Sequence, residues 1–468
     1  MAVENSDVLA QSYTEFTNRL AFFAQCDAYA HGASLEVFSD LRTRGILRLD
    51  EESPYVFNFS GIPLRVISHR LNVSSFTVPN DTGATDRCAE LWQENKLYLY
   101  EHGFIFDILK YGVSYASVWP GEDGTAAISF ESPLNCRVFY DEGSQTPTHA
   151  IKSWRERRGL DWIARVNLYF TDHIEKYYAL VADGVPIATA DWMELEEEDW
   201  YVPNPYGFIP IEPFHTIWPY GEPEHKPAWP VQDAVNKLVA THMGVVDALG
   251  LPIRYLLMDP ASPEGTSDLS LLEGNPGGTP DPFSGSPGSE SIKARPGDIL
   301  ALRAKQAGTF EAANSSQFIE PLKYYVSLLS PLTDIPLKYW VDPGQMPAEG
   351  SSMAADAPLR SRIANREMSF GYSFGELLKK ALIIEKRDVP TVITHWQPQE
   401  VEMGRNFWEG AQIMRSLGVP MYYIAKSAGI PEQTLQSWNL SEDSATYSPQ
   451  QTAGGSTQLS ADGLDTTS

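Results

Sequence analysis

Cysteine is scarce in this chain. Three thiols in 468 residues, Cys26, Cys88 and Cys136, are odd in number, far apart and in no metal-ligand spacing. That excludes a disulfide framework or a thiolate metal site, and predicts buried free thiols in a reducing interior. Long apolar runs are missing too. No stretch of about 18 apolar residues occurs, so no membrane-spanning helix is expected. The opening "MAVENSDVLAQSYTEF" has neither the basic start nor the apolar centre of a secretory leader. A cytosolic, non-membrane protein is the expectation. Cations are few: 35 Lys and Arg against 61 Asp and Glu give a formal charge of −26. A protein that grips nucleic acid through a clustered basic patch is excluded, because neutralising phosphates needs cations.

The familiar catalytic motifs are absent as well. There is no GxxxxGK[ST] loop, no GxGxxG after a strand, no HExxH and no GxSxG, so no cofactor and no metal are expected. His215 and His225 lie ten residues apart in a proline-rich crossover and read as structural rather than ligating. The acidic "DWMELEEEDW" (191–200) reads as a solvated edge rather than a cation site. Twelve tryptophans and many carboxylates leave room for a glycoside hydrolase, which needs two carboxylates facing across a rigid cleft.

What is present is a composition with 43% hydrophobic and 12% aromatic residues, ordinary for a folded protein. Residues 9–31 carry apolar side chains at helical spacing and stop at Gly32, a common helix C-cap. "FNFSGIPLRVISHRLNV" offers Ser60 as N-cap for another helix. Residues 84–111 predict two more, broken near Asn95 and Gly103. At Gly112 the period drops to two. "VSYASVWP", "AAISFESP", "CRVFYDE", "HAIKSWRER", "WIARVNLYF" and "IEKYYALV" are short, β-branched and aromatic, and turn signals divide them. One antiparallel sheet is the simplest arrangement. The fold class is therefore α+β. "NPYGFIPIEPF" (204–214), with three prolines, predicts an extended crossing segment.

Past Pro230 the pattern becomes helical again. Val231, Val235, Leu238, Val245 and Leu249 share a stripe of a rod about 30 Å long at 1.5 Å per residue. Residues 259–294 are rich in Gly, Pro and Ser, and predict a weakly ordered projecting loop. It is bracketed by "IRYLLM" (253–258) and "DILALR" (298–303), which can pair as strands. "SSQFIEPLKYYVSLLSPL" then predicts a second rod that Pro331 and Pro336 end. "DPGQMPAEGSSMAAD" (342–356) reads as a loop with little to pack. A long amphipathic helix follows, carrying Leu359, Ile363, Met368, Phe374, Leu378 and Leu382 and starting near Pro358 with Asp356 as the best N-cap, or Ser351 or Ser352 if it starts earlier and kinks. A short strand (389–396), two or three short helices to 438 and a polar tail from Ser441 complete the chain.

The order of these parts resembles the portal proteins of tailed double-stranded DNA bacteriophages, over roughly residues 10–438. The stretches that carry the resemblance are "AYAHG", "HGFIFDILKYGVSYASVWPGEDGTAAISFESPLNCRVFYD", "NPYGFIPIEPF" and "SSMAADAPLRSRI". It implies a non-enzymatic homo-oligomer, usually a dodecamer, assembled in the host cytoplasm and placed at one capsid vertex of the virion. DNA would be packaged and ejected through it without sequence specificity. The terminase motor, the major capsid protein and neck or adaptor proteins would be its partners. Residues 1–215 would form the wing, 216–250 the first stem helix, 251–312 the clip, and 313–341 the second stem helix and turn. Residues 342–356 would be the tunnel loop, 357–404 the long tunnel helix and return, 405–440 the crown, and 441–468 a disordered tail. Under that resemblance Asp342, Gln345, Met346, Glu349, Ser351 and Ser352 are candidates to line the DNA channel, and the stripe from Val231 to Leu249 is the candidate stem contact between copies. Arg360, Arg362 and Arg366 weigh toward salt bridges between copies over DNA contact, because carboxylates abound. An acidic hydrolase, or another phage head or neck protein, is the competing reading.

Overall fold

The helical spacing at the amino end forms α1 (Ala2–Asn18) and α2 (Leu20–Ala30). The computed structural model describes residues 2–32, 57–158, 161–181, 192–195, 200–217, 219–250, 254–257, 299–302, 307–309, 316–340, 355–397, 405–427 and 435. Two units divide the chain, residues 1–344 with 358–395 and residues 345–357 with 396–468. The class is mixed helix and strand.

In the larger unit α2 ends where expected, with Gly32 left-handed at φ 78°. α3 (Ile62–Ser68) is capped at Gly61 rather than Ser60. The Ser60 hydroxyl instead donates to the Tyr29 carbonyl at the end of α2, and so ties two helices together. After β1 (Val73–Thr77) come α4 (Thr82–Glu94), which Asp81 caps by accepting from the Ala84 N–H at 2.8 Å, and α5 (Leu97–Tyr111). The expected break at Asn95 is present. Gly103 lies inside α5 and breaks nothing.

The period-two region gives β2 (Val113–Pro120), β3 (Ala126–Glu131), β4 (Cys136–Tyr140), β5 (Pro147–Arg158), β6 (Asp161–Tyr169) and β7 (His173–Val181). β8 (Met193–Glu194), β9 (Tyr201–Pro203) and β10 (Ile211–His215) follow. They build two sheets, not the single sheet expected. One runs β10-β2-β3; the other runs β4-β5-β6-β7-β8, with β9 also on β7. Alternation fixes which face of a strand is buried, but it does not fix the strand's partner. The larger sheet is covered by α1, whose Leu9, Tyr13 and Phe16 recur at helical spacing and pack on Ile151, Val166, Leu168 and Tyr177.

The proline-rich crossing contains the edge strand β10. All five of its residues pair with β2, Pro213 with Tyr115, and the bonds from Val118 N–H to Pro210 O and Thr216 N–H to Gly112 O leave Pro213 at a position whose backbone N turns outward, where a missing N–H leaves nothing unsatisfied. The outward carbonyls of Pro213 and His215 accept from Ser373 at 2.9 Å and Ser369 at 2.8 Å of the long helix α8 (Ala357–Ile384).

Beyond β10, α6 (Trp229–Gly250) packs against α7 (Ser316–Thr333), with His242 and Phe318 rings stacked at 5.5 Å. Between them β11 (Arg254–Leu257) pairs with β12 (Ile299–Leu302), as expected, in parallel, and a further strand, β13 (Ala307–Thr309), adds on the other side of β11. Residues 259–294 lie outside the described residues. α7 runs two residues past Pro331 to Thr333, so Pro336 alone follows its end.

α8 starts where the sequence placed it, with Pro358 in its first turn. Of its expected apolar face Leu359, Ile363, Phe374, Leu378 and Leu382 are buried, but Met368 is 76% exposed and Phe370 is buried in its stead. The rings of Phe104, Phe130, Phe214 and Phe374 converge with centroids 3.9 to 6.4 Å apart and join α5, β3, β10 and α8. Each such ring removes about 150–250 Å² from water, roughly 4–6 kcal/mol of gross driving force. β14 (Ile393–Trp396) pairs with β1. In the smaller unit α9 (Arg405–Ser416) and α10 (Met421–Ser427) are separated by Gly418 at φ 87°, and Tyr422, Ala425 and Leu435 form its core.

Candidate functional site

The channel candidates Asp342, Gln345, Met346, Glu349, Ser351 and Ser352 lie outside the described residues, as does the polar tail. The structure does show what holds the segment's roots. On the amino side, the Trp340 indole donates to the Ile335 carbonyl at 3.1 Å, and the Tyr339 hydroxyl accepts from Arg70 at 2.6 Å. On the carboxyl side stands the first turn of α8, and a buried ionic joint binds the two.

Glu224 is the centre of that joint, its side chain fully buried. Its carboxylate accepts from Arg362 Nε at 2.7 Å and Nη2 at 2.6 Å, and from Arg366 Nε. Arg362 continues to the Thr333 carbonyl at 2.9 Å and to Asp334 at 3.0 Å, at the end of α7. Arg366 continues to the Thr216 carbonyl at 2.5 Å. One carboxylate and two guanidiniums one helical turn apart thus bind the turn after β10, α7 and α8. Arg362 and Arg366, weighed above for bridges between copies, thus already pair within one chain. Their acid lies in the same chain, because position 224 is brought under α8 by the turn before it.

That turn has a backbone cause. Gly112 and Gly221 have φ of 83° and 72°, and a Cβ on Gly221 would lie 1.9 Å from the Gly112 carbonyl oxygen. Only two glycines allow this approach. Thr216 locks it, its N–H donating to Gly112 O at 3.0 Å and its hydroxyl to Glu222 O at 2.6 Å, while Glu224 N–H donates to Leu109 O at 2.9 Å. Sequence reading missed Glu224. Its partners are 138 and 142 residues away, and "GEPEH" signals only a turn.

His215 and His225 are both buried, as structural residues. The Tyr140 hydroxyl lies 2.7 Å from His215 Nε2, and the Cys26 carbonyl 3.0 Å from His225 Nε2. Burial pushes both imidazoles down to about 4, so they are neutral at physiological pH. Among the described residues no group of three or more His, Cys, Asp or Glu converges on a metal-sized site. The three cysteines are free and buried, and burial pushes the thiols up, to about 12 for Cys26 and about 11 for Cys88.

Along the candidate contact stripe Val231 and Val235 are buried within their own chain, at 7% and 0% exposure. Leu238 is half-buried, and the side chains of Val245 and Leu249 lie outside the described residues. α8 is fastened elsewhere as well. Lys380 pairs with the buried Glu212 at 2.7 Å and donates to Ile209 O at 3.1 Å, and Arg87 forks onto Glu385 at 2.8 Å. Arg87 holds the Glu385 carboxyl below its ordinary value, whereas burial raises that of Glu212 against the pull of Lys380. No described helix is long and apolar enough to cross a membrane. Comparison with family models and with curated proteins returns no match for this chain.

Proposed function

We propose that this chain is a portal subunit of a tailed double-stranded DNA bacteriophage. It forms a ring at one capsid vertex, docks the terminase during packaging and neck or adaptor proteins afterwards, and contacts the major capsid protein around its wing. The observation that carries the reading is the pairing of α6 with α7 around the small sheet of β11, β12 and β13, followed by a helix of 28 residues. A compact enzyme has no need of two rods joined through a separate sheet. A channel subunit uses them as a stem and its tip. Residues 342–356 are then the tunnel loop, and the ionic joint at Glu224 ties the helix that follows them to the end of α7. Charge agrees with this use: twelve copies carry 12 × −26 = −312, so the wall on balance repels phosphate and lets a duplex slide.

The test is particle size. Purified protein in negative stain and in light scattering should give rings with a central hole and a mass near twelve subunits. A monomer that hydrolyses a glycoside would overturn the proposal in favour of the acidic hydrolase.

A further inference from the structure

Seven arginines among the described residues are half-buried, and six of them hold an oxygen at 3.0 Å or closer. These are Arg70, Arg87, Arg137, Arg165, Arg362 and Arg366. The seventh, Arg19, does not. Its Nη2 lies 3.4 Å from the Tyr220 carbonyl, beyond the usual 2.7–3.2 Å for N–H···O. Otherwise its guanidinium rests on two rings, 5.4 Å from the Phe23 centroid and 6.0 Å from that of Tyr220. Acids outnumber bases by 61 to 35 in this chain, yet none pairs with Arg19 among the described residues. A half-buried guanidinium with five N–H donors and no good acceptor among the described residues costs free energy until an acceptor arrives.

The acceptor has a place to sit. Arg19 lines a cavity of about 320 Å³ with Phe22, Ile217, Pro219, Tyr220, Glu222 and Lys226, open to solvent on one side. Lys226 is partly neutralised by Glu222 at 2.7 Å, so Arg19 is the dominant free charge there. Ile217 and Tyr220 are 52% and 43% exposed, which leaves an apolar rim around a cation. The positive field is also felt inside, where Arg19 adds to burial in lowering the affinity of Arg137 and His215 for protons.

From this geometry we propose that the cleft beside Arg19 docks an acidic segment of a partner protein, with Arg19 taking an Asp or Glu carboxylate and an adjacent apolar side chain packing on Ile217, Pro219 and Phe22. Two rings hold the guanidinium plane in place, so little freedom is lost when the fork closes on a carboxylate. A polyphosphate backbone is the poorer occupant, since a single guanidinium in this cleft, in a chain of −26, cannot repay the approach of many phosphates. A free small molecule is poorer too, because the volume is at the low end for ligand sites and one wall is missing. Arginine flanked by aromatic rings is also the composition of an interface anchor. The proposal is independent of the ring.

The test is selection of a displayed random-heptapeptide library on the full chain, with Arg19→Gln as the counter-selection, followed by fluorescence anisotropy on a synthetic selected peptide. Peptides carrying Asp or Glu beside an apolar residue should be enriched on the native chain alone. Arg19→Gln should weaken the selected peptide at least tenfold, Arg19→Lys less, and changing the peptide's acid to its amide should lose a similar factor. Ile217→Glu alters an exposed rim position, so it preserves the fold and should weaken binding through repulsion, which keeps the test decisive even if Arg19→Gln misfolds. Enrichment without acids, or binding indifferent to both substitutions, would overturn the proposal. Displacement of the peptide by benzoate or inorganic phosphate at comparable concentration would overturn it in favour of a free-anion site.

Discussion

Replacing Glu224 by Gln tests whether the joint is held by charge. The substitution keeps the side chain's shape but turns one acceptor into an N–H₂ facing two guanidiniums. At about 4 Å and an effective dielectric near 20, each lost Arg–Glu attraction is worth about 4 kcal/mol before desolvation is set against it. Arg362 and Arg366 are 18% and 13% exposed, so they recover only part of their hydration. Both also keep other acceptors, the carbonyls of Thr333 and Thr216. The net loss should therefore fall at the low end of that for a broken buried pair, about 3 kcal/mol. Urea unfolding followed by tryptophan fluorescence measures it, and hydrogen exchange should quicken at residues 333–340 and 358–366. A companion variant, Glu224→Leu with Arg362→Met and Arg366→Met, removes every charge at similar volume and should return to within about 2 kcal/mol of the native chain. A single variant that loses less than about 1 kcal/mol, or a triple variant no more stable than the single, would refute the account.

Two further outcomes follow from single sites. Burial pushes the Glu101 carboxyl up to about 7, while its Oε1 accepts from Val73 N–H at 2.5 Å. A raised acid means that folding takes up a proton, so the penalty is present above pH 7 and vanishes as pH falls toward the ordinary carboxylate range. Glu101→Gln keeps the acceptor and should stabilise by about 1–2 kcal/mol at pH 8, after allowance for solvent screening, and by nothing at pH 4; equal effects by urea titration at the two pH values would contradict this. Gly221→Ala places a Cβ 1.9 Å from a carbonyl oxygen at φ 72° and should cost about 3 kcal/mol or more, read as a lowered Tm. A neutral result would mean that the turn can move.

The strands β2 to β7 were legible within a residue or two, because alternation and turn residues mark each one locally. β11 and β12 were legible for the same reason, as was the start of α8 at a proline that only a first turn accepts. What escaped was the pairing of distant parts. Nothing local says that β2 leaves β4 for β10, and three prolines argue against a strand at 204–214 until one sees that Pro213 faces outward. Met368 fits the apolar period of α8 as well as Phe370 does, and only the position of the neighbouring ring cluster decides between them. Val231 and Val235 read correctly as apolar, and these two pack into the chain's own core. The ionic joint was half visible: Arg362 and Arg366 drew notice by charge and spacing, while their acid sits in a turn that two glycines shape.

These contacts share one arrangement. Arg366, Ser369, Ser373 and Lys380 lie on one side of α8, and donate in turn to the carbonyls of Thr216, His215, Pro213 and Ile209. The outer edge of β10 is thus closed by a helix instead of another strand, and polar bonds worth about 1 kcal/mol each hold a buried edge that would otherwise be unsatisfied. Because the bonds are spread over four turns, α8 cannot slide along β10 by one residue without losing all of them, so the pair moves as one body. Glu224 fixes the amino end of α8 and Arg87 with Glu385 the carboxyl end. A push delivered at the start of α8 therefore passes into β10 and, through the turn at Gly221, toward α6. Under the proposed portal reading that start follows residues 342–356, so the same bonds that close a sheet edge would carry a load from the DNA channel to the stem.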